Sequence, residues 1–308
     1  MLSAFLSVLL GTNFPMNLLE AIILGIVQGL TEFLPISSSG HLVLVGELLG
    51  IEAEAGENAD EMAKAAKIMF AVAVHVGTLL SVLVYFRHRI IELIVGFFKS
   101  PVTPEQRSVL FLVLATIPAV IAGLTLKPWF EKAFHSPVFT SCMLIVTGGL
   151  LVLPILVTRL RGSEPTGEVT TKSALMMGLG QAFAILPGIS RSGSTIATGM
   201  MSGVNPRQAA EFSFLMAIPA ILGGAVFEFK DLEAVPEGMM TNCIVGALVA
   251  FVTGLAAVYW VLDSIRKGKF QYFAIYCAVA GIFGIVYFGF LSDSEPELPN
   301  DPVPELTQ

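Results

Sequence analysis

The sequence contains little charge. Only 13% of its 308 residues are charged, whereas soluble domains average about 25%. Hydrophobic residues make up 55% of the chain, and the mean hydropathy is +0.79. Alternating strand patterns are also absent, while Gly and Pro interrupt long apolar stretches. This composition excludes a soluble globular domain and predicts an all-α integral membrane protein.

Cysteine is scarce as well. The three cysteines, Cys142, Cys243 and Cys277, lie in apolar segments and show no paired spacing. Their odd number argues against a disulfide framework or a cysteine metal site, so we expect buried structural thiols. The net charge of −7 comes partly from an acidic tail, 292–308, which we expect to be mobile.

Six apolar blocks are long enough to cross a bilayer as helices. Two further blocks, at about 18–50 and 173–204, are apolar at both ends but have polar, Gly-rich centres. Each of these two fits a re-entrant helix-loop-helix pair, which enters the membrane and returns on the same side. The six predicted crossings lie at about 68–86, 108–126, 137–157, 211–229, 240–262 and 272–291.

The two broken blocks resemble each other. LGIVQGLTEFLPISSSG occupies 24–40 and MGLGQAFAILPGISRSG occupies 177–193. Each block precedes three crossings, an odd number, so the second half is inverted. We predict one membrane domain, 1–308, with inverted-topology repeats at about 17–157 and 173–291; chance similarity in apolar sequence is the alternative. At a constant offset of 153 the identical pairs include Gly25 and Gly178, Gln28 and Gln181, Ser37 and Ser190, Ser39 and Ser192, and Gly40 and Gly193.

The loop charges orient these crossings. Cytoplasmic loops carry an excess of Lys and Arg. The loops near 87–107, 158–172, 204–210 and 263–271 hold eleven cations, against five on the side that holds both termini. We therefore expect both termini outside the cytoplasm, with the first broken block entering from outside and the second from the cytoplasm.

The first broken block carries QGLTEFLPISSSGH, residues 28–41. Gln28 and Glu32 are spaced i, i+4, so a helix places both on one face. A carboxylate beside an amide oxygen suits a hard divalent cation, although a helix-capping role would also explain the pair. Ser37, Ser38, Ser39 and Gly40 offer hydroxyls and backbone donors at a helix start, where an anion is favoured or a simple cap forms. His41 can transfer a proton near neutral pH.

The second broken block carries PGISRSGST, residues 187–195. Arg191 is the only Lys or Arg in this block, and a guanidinium offers a fork of donors suited to phosphate. The alternative is a purely structural pairing of Arg191 with Glu32 or Glu211. The remaining predicted anion-binding residues flank Arg191: Ser190, Ser192, Gly193 and Thr195.

The two loops together predict a site for phosphoryl transfer. If the loops meet, one pocket contains a carboxylate, an imidazole, hydroxyls, a guanidinium and two helix N-termini. A site at membrane depth implies that the substrate arrives from the lipid. His75, in VAVHVGT on a predicted crossing, fits packing or helix contact better than catalysis. We expect His88 and His135 to be solvated.

These motifs resemble those of the undecaprenyl-diphosphate phosphatase family, also called the bacitracin-resistance family. The resemblance spans about 17–291 and includes AAEFSFLMAIPA. It implies hydrolysis of undecaprenyl diphosphate to the monophosphate, which recycles the lipid carrier for peptidoglycan and the cell wall. It also implies a multi-pass protein of the bacterial inner membrane, with the outer face favoured for access to the site. The expected partners are the bilayer and a polyprenyl diphosphate, with no nucleic acid, and self-association stays open.

The resemblance also implies roles for individual residues. Glu32, Ser38, His41 and Arg191 are the implied catalytic residues, and Gln28 and Glu32 the implied ligands of Mg2+ or Ca2+. The family accepts Glu or Gln at the first acidic position, and this chain has Gln28. Glu32 must therefore supply the negative charge alone. Ser38 or a water is the attacking group, and we favour Ser38.

Two other functions compete with this interpretation. Lipid phosphatases with a phosphohistidine intermediate need a second His after the SR motif, and no His follows His135. Transporters also use inverted repeats with broken helices, and a flippase for the same lipid would need anion-binding loops. Such a flippase would have less use for Glu32, His41 and a nucleophilic serine together.

Overall fold

The computed structural model describes residues 16–51, 61–99, 101, 103–229 and 239–291. In these ranges the chain is helical, and its sole extended pairing is an isolated bridge between Gly167 and Val204. A π-helical turn, Tyr287–Leu291, follows the last helix. The helices are α1 Leu18–Phe33, α2 Ser38–Leu48, α3 Glu61–Tyr85, α4 Arg87–Phe97, α5 Pro104–Thr125, α6 Lys127–Phe134, α7 Pro137–Arg161, α8 Thr171–Phe183, α9 Arg191–Met201, α10 Pro206–Phe229, α11 Met239–Arg266 and α12 Gln271–Val286.

The six predicted crossings are confirmed. Each coincides with a segment long and apolar enough to span a bilayer, and all six have a mean hydropathy of 1.8 or more. The expected all-α class therefore holds for the described residues. The spanning segments are Ala65–Tyr85, Pro104–Thr125, Pro137–Arg161, Pro206–Phe227, Met239–Arg266 and Gln271–Leu291.

Both broken blocks form two short helices, as predicted. In the first, α1 begins with a capping box between Asn17 and Glu20 and ends at Phe33. Leu34 then leaves the helical region (φ −59°, ψ 137°), as expected for a residue that precedes a proline. In the second block, 184–190 separate α8 from α9. This geometry is compatible with re-entrant pairs.

Two of the predicted loops contain helices instead. Helix α4 occupies the first half of the predicted connection near 87–107, and α6 fills most of 127–136. In α4, Leu93 and Gly96 are buried against α5, and Thr103 donates a hydrogen bond to the Gly96 carbonyl (3.1 Å). The charges of Arg87 and Arg89 concealed this short apolar face. The acidic tail, 292–308, lies outside the described residues.

The two halves of the chain repeat one packing contact. Helix α1 of the first half packs along α11 of the second, and α8 of the second packs along α5 of the first. A Cβ added at Gly25 would lie 2.7 Å from the Gly246 carbonyl oxygen, and one at Gly178 would lie 2.5 Å from that of Ala115. The matched glycines thus allow the same close helix approach, which supports the inverted repeat.

A buried apolar cluster lies beside the first broken block. Phe33, at the end of α1, contacts the ring of Phe214 edge to face, with centroids 5.7 Å apart. Cys277 joins the same cluster and is fully buried. Cys243 is buried elsewhere, while Cys142 is partly exposed, and all three thiols are free. The expectation of buried thiols therefore holds for two of the three.

Candidate active site

The tips of the two broken blocks touch. Ser192 Oγ, in the first turn of α9, donates a hydrogen bond to the Leu34 carbonyl (3.2 Å). A Cβ added at Gly40 would lie 3.0 Å from Gly188 Cα, so the backbones of the two loops are in contact. The chain thus brings the two predicted motifs to one place, although they are about 150 residues apart in sequence.

Glu32 is the centre of a polar cluster between the loops. Its Oε1 accepts a hydrogen bond from Arg191 Nη2 (2.6 Å), and its Oε2 accepts from Ser38 Oγ (2.6 Å) and from Gln28 Nε2 (3.0 Å). The side chains of Glu32 and Arg191 are only 7% and 15% exposed. A buried carboxylate is stable when such donors surround it. The structure therefore unites four of the predicted site residues around one carboxylate.

Arg191 is held by both of its terminal nitrogens. Nη2 binds Glu32, while Nη1 donates to the Ser213 carbonyl on α10 (3.2 Å). Glu211, the other acidic partner considered from the sequence, pairs instead with Arg89 (3.5 Å). As the first residue of α9, Arg191 also lies at a helix N-terminus, where an anion is favoured.

The first loop has an unusual backbone at Ser37. Its φ is +74°, and it is the one described non-glycine residue with a positive φ. Ser37 Oγ accepts a hydrogen bond from the Gly40 amide (3.2 Å) and so caps α2. Such strained residues cluster at functional sites. This turn places Ser38 at the first position of α2, facing Glu32.

Thr147 on α7 fixes the second loop, a role that no sequence pattern indicates. Its hydroxyl donates to the Gly188 carbonyl (2.8 Å) and accepts from the Ser190 amide (3.0 Å). Ser190 in turn caps α9, because its Oγ accepts from the Gly193 amide (3.1 Å). One fully buried threonine thus satisfies two backbone groups of an irregular segment, as burial requires.

A cavity of about 290 Å³ adjoins the polar cluster. Its polar walls come from both loops and from α3, and the remaining walls are apolar. The volume suits a phosphate or diphosphate group, whereas a long lipid tail would have to lie outside. The polar lining residues are Glu32, Ser38, Ser39, His75, Ser190 and Arg191.

His41 does not line this cavity. Its Nδ1 lies 2.7 Å from the Ser37 carbonyl, its Nε2 lies 2.9 Å from the Tyr276 hydroxyl, and its ring stacks on that of Tyr276. Both ring nitrogens are therefore engaged in holding the first turn of α2 against α12. The sequence placed this imidazole in the pocket, whereas the structure places it behind the loop.

Five of the seven predicted substrate-binding residues also lie off the cavity wall, while Ser39 and Ser190 line it. The five hold the loops together. Thr195 Oγ1, for example, donates to the Arg191 carbonyl (2.8 Å) and lies 2.6 Å from Ser213 Oγ. The other four cap or pack the half-helices: Ser37, Gly40, Ser192 and Gly193.

The predicted cation ligands provide two oxygen donors. Gln28 is fully buried, and its Oε1 has no hydrogen-bond partner among the described residues. The described ranges contain no group of three or more His, Cys, Asp or Glu side chains that could hold a metal alone. Mg2+ is commonly bound by one or two carboxylates together with substrate phosphates. Glu32, on the cavity wall, fits that kind of site, in which the cation arrives with its anion, while Gln28 lies behind Glu32 and off the wall.

Fold and site together define a membrane-embedded helical protein with a polar, partly charged cavity between two helix-loop-helix pairs. The family model described as bacitracin resistance protein BacA matches residues 21–283. The chain belongs to this family.

Several curated relatives are similar over nearly their whole length. An undecaprenyl-diphosphatase of Bacteroides thetaiotaomicron is 42% identical over 276 residues, which cover 88% of this chain and 99% of the relative. One of Salinibacter ruber is 40% identical, with 86% and 97% covered. One of Methanobrevibacter smithii is 38% identical, with 89% and 98% covered.

Proposed function

We propose that this chain is an undecaprenyl-diphosphatase. It hydrolyses undecaprenyl diphosphate to undecaprenyl phosphate and phosphate, and so recycles the lipid carrier for cell-wall synthesis. The relatives that bear this name match it along almost their full length. The observation that supports the reaction best is the contact of Ser38 and Arg191 with one buried carboxylate on the wall of a phosphate-sized cavity.

In this proposal the distal phosphoryl group occupies the cavity. Arg191, on the cavity wall at the start of α9, stabilises its oxygens, as donors aimed at developing charge do. Ser38 Oγ forms a bond to the distal phosphorus, and the bond between that phosphorus and the bridging oxygen breaks. The lipid monophosphate leaves, and Glu32, which already accepts the Ser38 hydrogen bond, takes the proton. Water then releases phosphate from Ser38.

His41 has a positioning role in this proposal. The sequence assigned it acid and base chemistry, but its two nitrogens bind the Ser37 carbonyl and the Tyr276 hydroxyl. Through the first of these bonds it fixes the strained turn that presents Ser38. It therefore contributes to the geometry of the nucleophile.

Charge balance supports a divalent cation. Glu32 neutralises Arg191, so the pair adds no net charge to a cavity that must accept a diphosphate. When bound, Mg2+ or Ca2+ would supply the missing positive charge and polarise the phosphoryl oxygens. Gln28 Oε1 and Glu32 are the residues that would hold it.

Cation binding can be measured apart from turnover. We expect Mg2+ to raise the thermal midpoint of the purified protein in the presence of a non-hydrolysable diphosphate lipid, and to raise it less in Gln28→Leu, which removes one oxygen donor. Chelation should abolish phosphate release by the unaltered protein. An equal Mg2+ shift in both proteins would remove Gln28 from the cation site.

The predicted topology places the cavity towards the outside of the cell. Its lining includes residues from the second half of α10 and from the end of α6, and both helix ends adjoin segments assigned to the outer side by their low positive charge. We propose that this chain lies in the bacterial inner membrane, with both termini outside the cytoplasm, and takes its substrate from the outer leaflet.

Phosphate release from the diphosphate lipid by the purified protein tests the reaction and separates an enzyme from a flippase. Arg191→Ala should lower kcat/KM by roughly 10²-fold or more, because a donor to the transition state is lost. Arg159→Ala is the matched control, since Arg159 is exposed on α7 and away from the cavity. Near-normal turnover by Arg191→Ala would contradict the proposed site.

A further inference from the structure

His75 occupies a place in the cavity that the sequence did not predict. It lies in the middle of α3 and was expected to pack between helices. Instead its side chain lines the same cavity as Glu32 and Arg191. The residue is half-buried, so its ring is accessible from the cavity.

The hydrogen bonding of His75 fixes which nitrogen is available. Nδ1 lies 2.7 Å from the carbonyl oxygen of Ala71, one turn earlier in α3. A carbonyl can only accept, so Nδ1 carries the hydrogen and the neutral ring has its lone pair on Nε2. No residue in the described part of the chain hydrogen-bonds to Nε2. His75 therefore presents a proton acceptor to the cavity.

The other three histidines do not combine a ring on the cavity wall with an available nitrogen. Both ring nitrogens of His41 have partners, and the ring lies off the cavity wall. His88 and His135 are exposed, as predicted, and neither lines the cavity. Of the four histidines in the chain, His75 is thus the one whose available nitrogen adjoins Glu32, Ser38 and Arg191.

We propose that His75 is a further catalytic residue, which activates the water in the second half of the reaction. This inference rests on the proposed phosphatase function. The water oxygen bonds to the phosphorus carried by Ser38, and the bond between that phosphorus and Ser38 Oγ breaks. His75 Nε2 takes the water proton, and Glu32 returns to Ser38 the proton that it accepted in the first half.

The division of roles follows from the contacts of Glu32. Its carboxylate accepts hydrogen bonds from Arg191, Ser38 and Gln28, so it is committed to the loops and to the Ser38 proton. His75 lines the same cavity with an available Nε2, so a water beside the bound phosphoryl group can donate a hydrogen bond to this nitrogen.

The test compares His75→Ala with His88→Ala, which removes an exposed imidazole. We expect His75→Ala to lose roughly 10²- to 10⁴-fold in kcat, with KM falling in proportion and kcat/KM unchanged, because only the step after phosphorylation of Ser38 is slowed. Phosphate should accumulate on Ser38 in acid-quenched samples of this variant. Added imidazole should restore turnover, because it can enter the space left by the ring, and it should not affect His88→Ala.

Several outcomes would overturn the inference. Turnover of His75→Ala within threefold of the unaltered protein would do so. A loss of turnover without phosphoserine and without rescue by imidazole would assign His75 to packing, and a fall in thermal midpoint would accompany it. If the unaltered protein released no phosphate, the proposed function itself would fail. If it were active and only the His75 results disagreed, the phosphatase assignment would stand without this residue.

Discussion

At the scale of single residues, the site depends on one carboxylate. Glu32 joins the nucleophile candidate on α2 to the guanidinium on α9, and both bonds are 2.6 Å long. Removing either member of a buried ion pair leaves the other charge without compensation. Glu32 and Arg191 should therefore behave as a unit rather than as two independent contributions.

A double-mutant cycle tests this coupling. Glu32→Gln and Arg191→Gln should each lower kcat/KM by roughly 10²-fold or more, and the double variant should lose much less than the product of the two, since residues acting together are non-additive. Glu92→Gln is a suitable control, because Glu92 forms an exposed pair with Arg89. Multiplicative losses would show that Glu32 and Arg191 act separately.

The sequence predicted the members of this cluster but not all of their surroundings. Gln28, Glu32, Ser38 and Arg191 were identifiable, because polar residues in a membrane block need a reason to be there. Thr147, Tyr276 and Ser213 were not, since their contacts depend on which helices become neighbours. His41 was expected in the pocket but lies behind the loop, whereas His75 was expected to pack between helices but lines the cavity. No sequence pattern indicates which way a ring faces.

At the scale of helices, close packing depends on small residues with no room for a side chain. A Cβ added at Gly77 on α3 would lie 2.2 Å from the Ala247 carbonyl oxygen on α11, which is a backbone atom that cannot move alone. Helices α3 and α11 pack against each other along much of their length, and Gly77 lies in this interface. Membrane helices gain their association energy from such close approach.

Substitution at Gly77 should separate these helices. Gly77→Ala is expected to lower the free energy of unfolding by about 1–3 kcal/mol, the usual cost of overpacking, seen as a lower thermal midpoint in detergent. Gly149→Ala is the control, because a Cβ at this helical position would meet no atom within 4 Å. Equal midpoints for the two variants would show that the α3–α11 contact adapts freely.

Helix positions were more predictable than helix neighbours. Length and hydropathy located the six spanning segments, and proline and glycine located the breaks. The short helices α4 and α6 were missed, because their charged residues resemble a loop and eight to eleven residues give a weak periodic signal. The reciprocal pairing of α1 with α11 and of α8 with α5 could be expected only on the hypothesis of an inverted repeat.

At the scale of the whole molecule, loop charge and helix order together predict the orientation of the protein in the membrane. The cation excess on one side predicts where each loop lies. His135 belongs to a segment predicted outside the cell and Lys269 to one predicted inside, and both residues are exposed. The two positions therefore report the orientation directly.

Cysteine labelling on intact cells measures this orientation. In a variant without the three native cysteines, His135→Cys should react with a membrane-impermeant maleimide, whereas Lys269→Cys should react only after the cells are permeabilised. The reverse pattern would invert the topology and place the cavity on the cytoplasmic side.

The matched positions of the two broken blocks differ at one functional pair. Ser38 opens α2 and Arg191 opens α9, and the offset of 153 makes them equivalent residues. Two copies of the first half would bring two hydroxyls together, and two copies of the second would bring two guanidinium groups. A protein with identical halves would therefore lack this pairing, and neither half of this chain can replace the other.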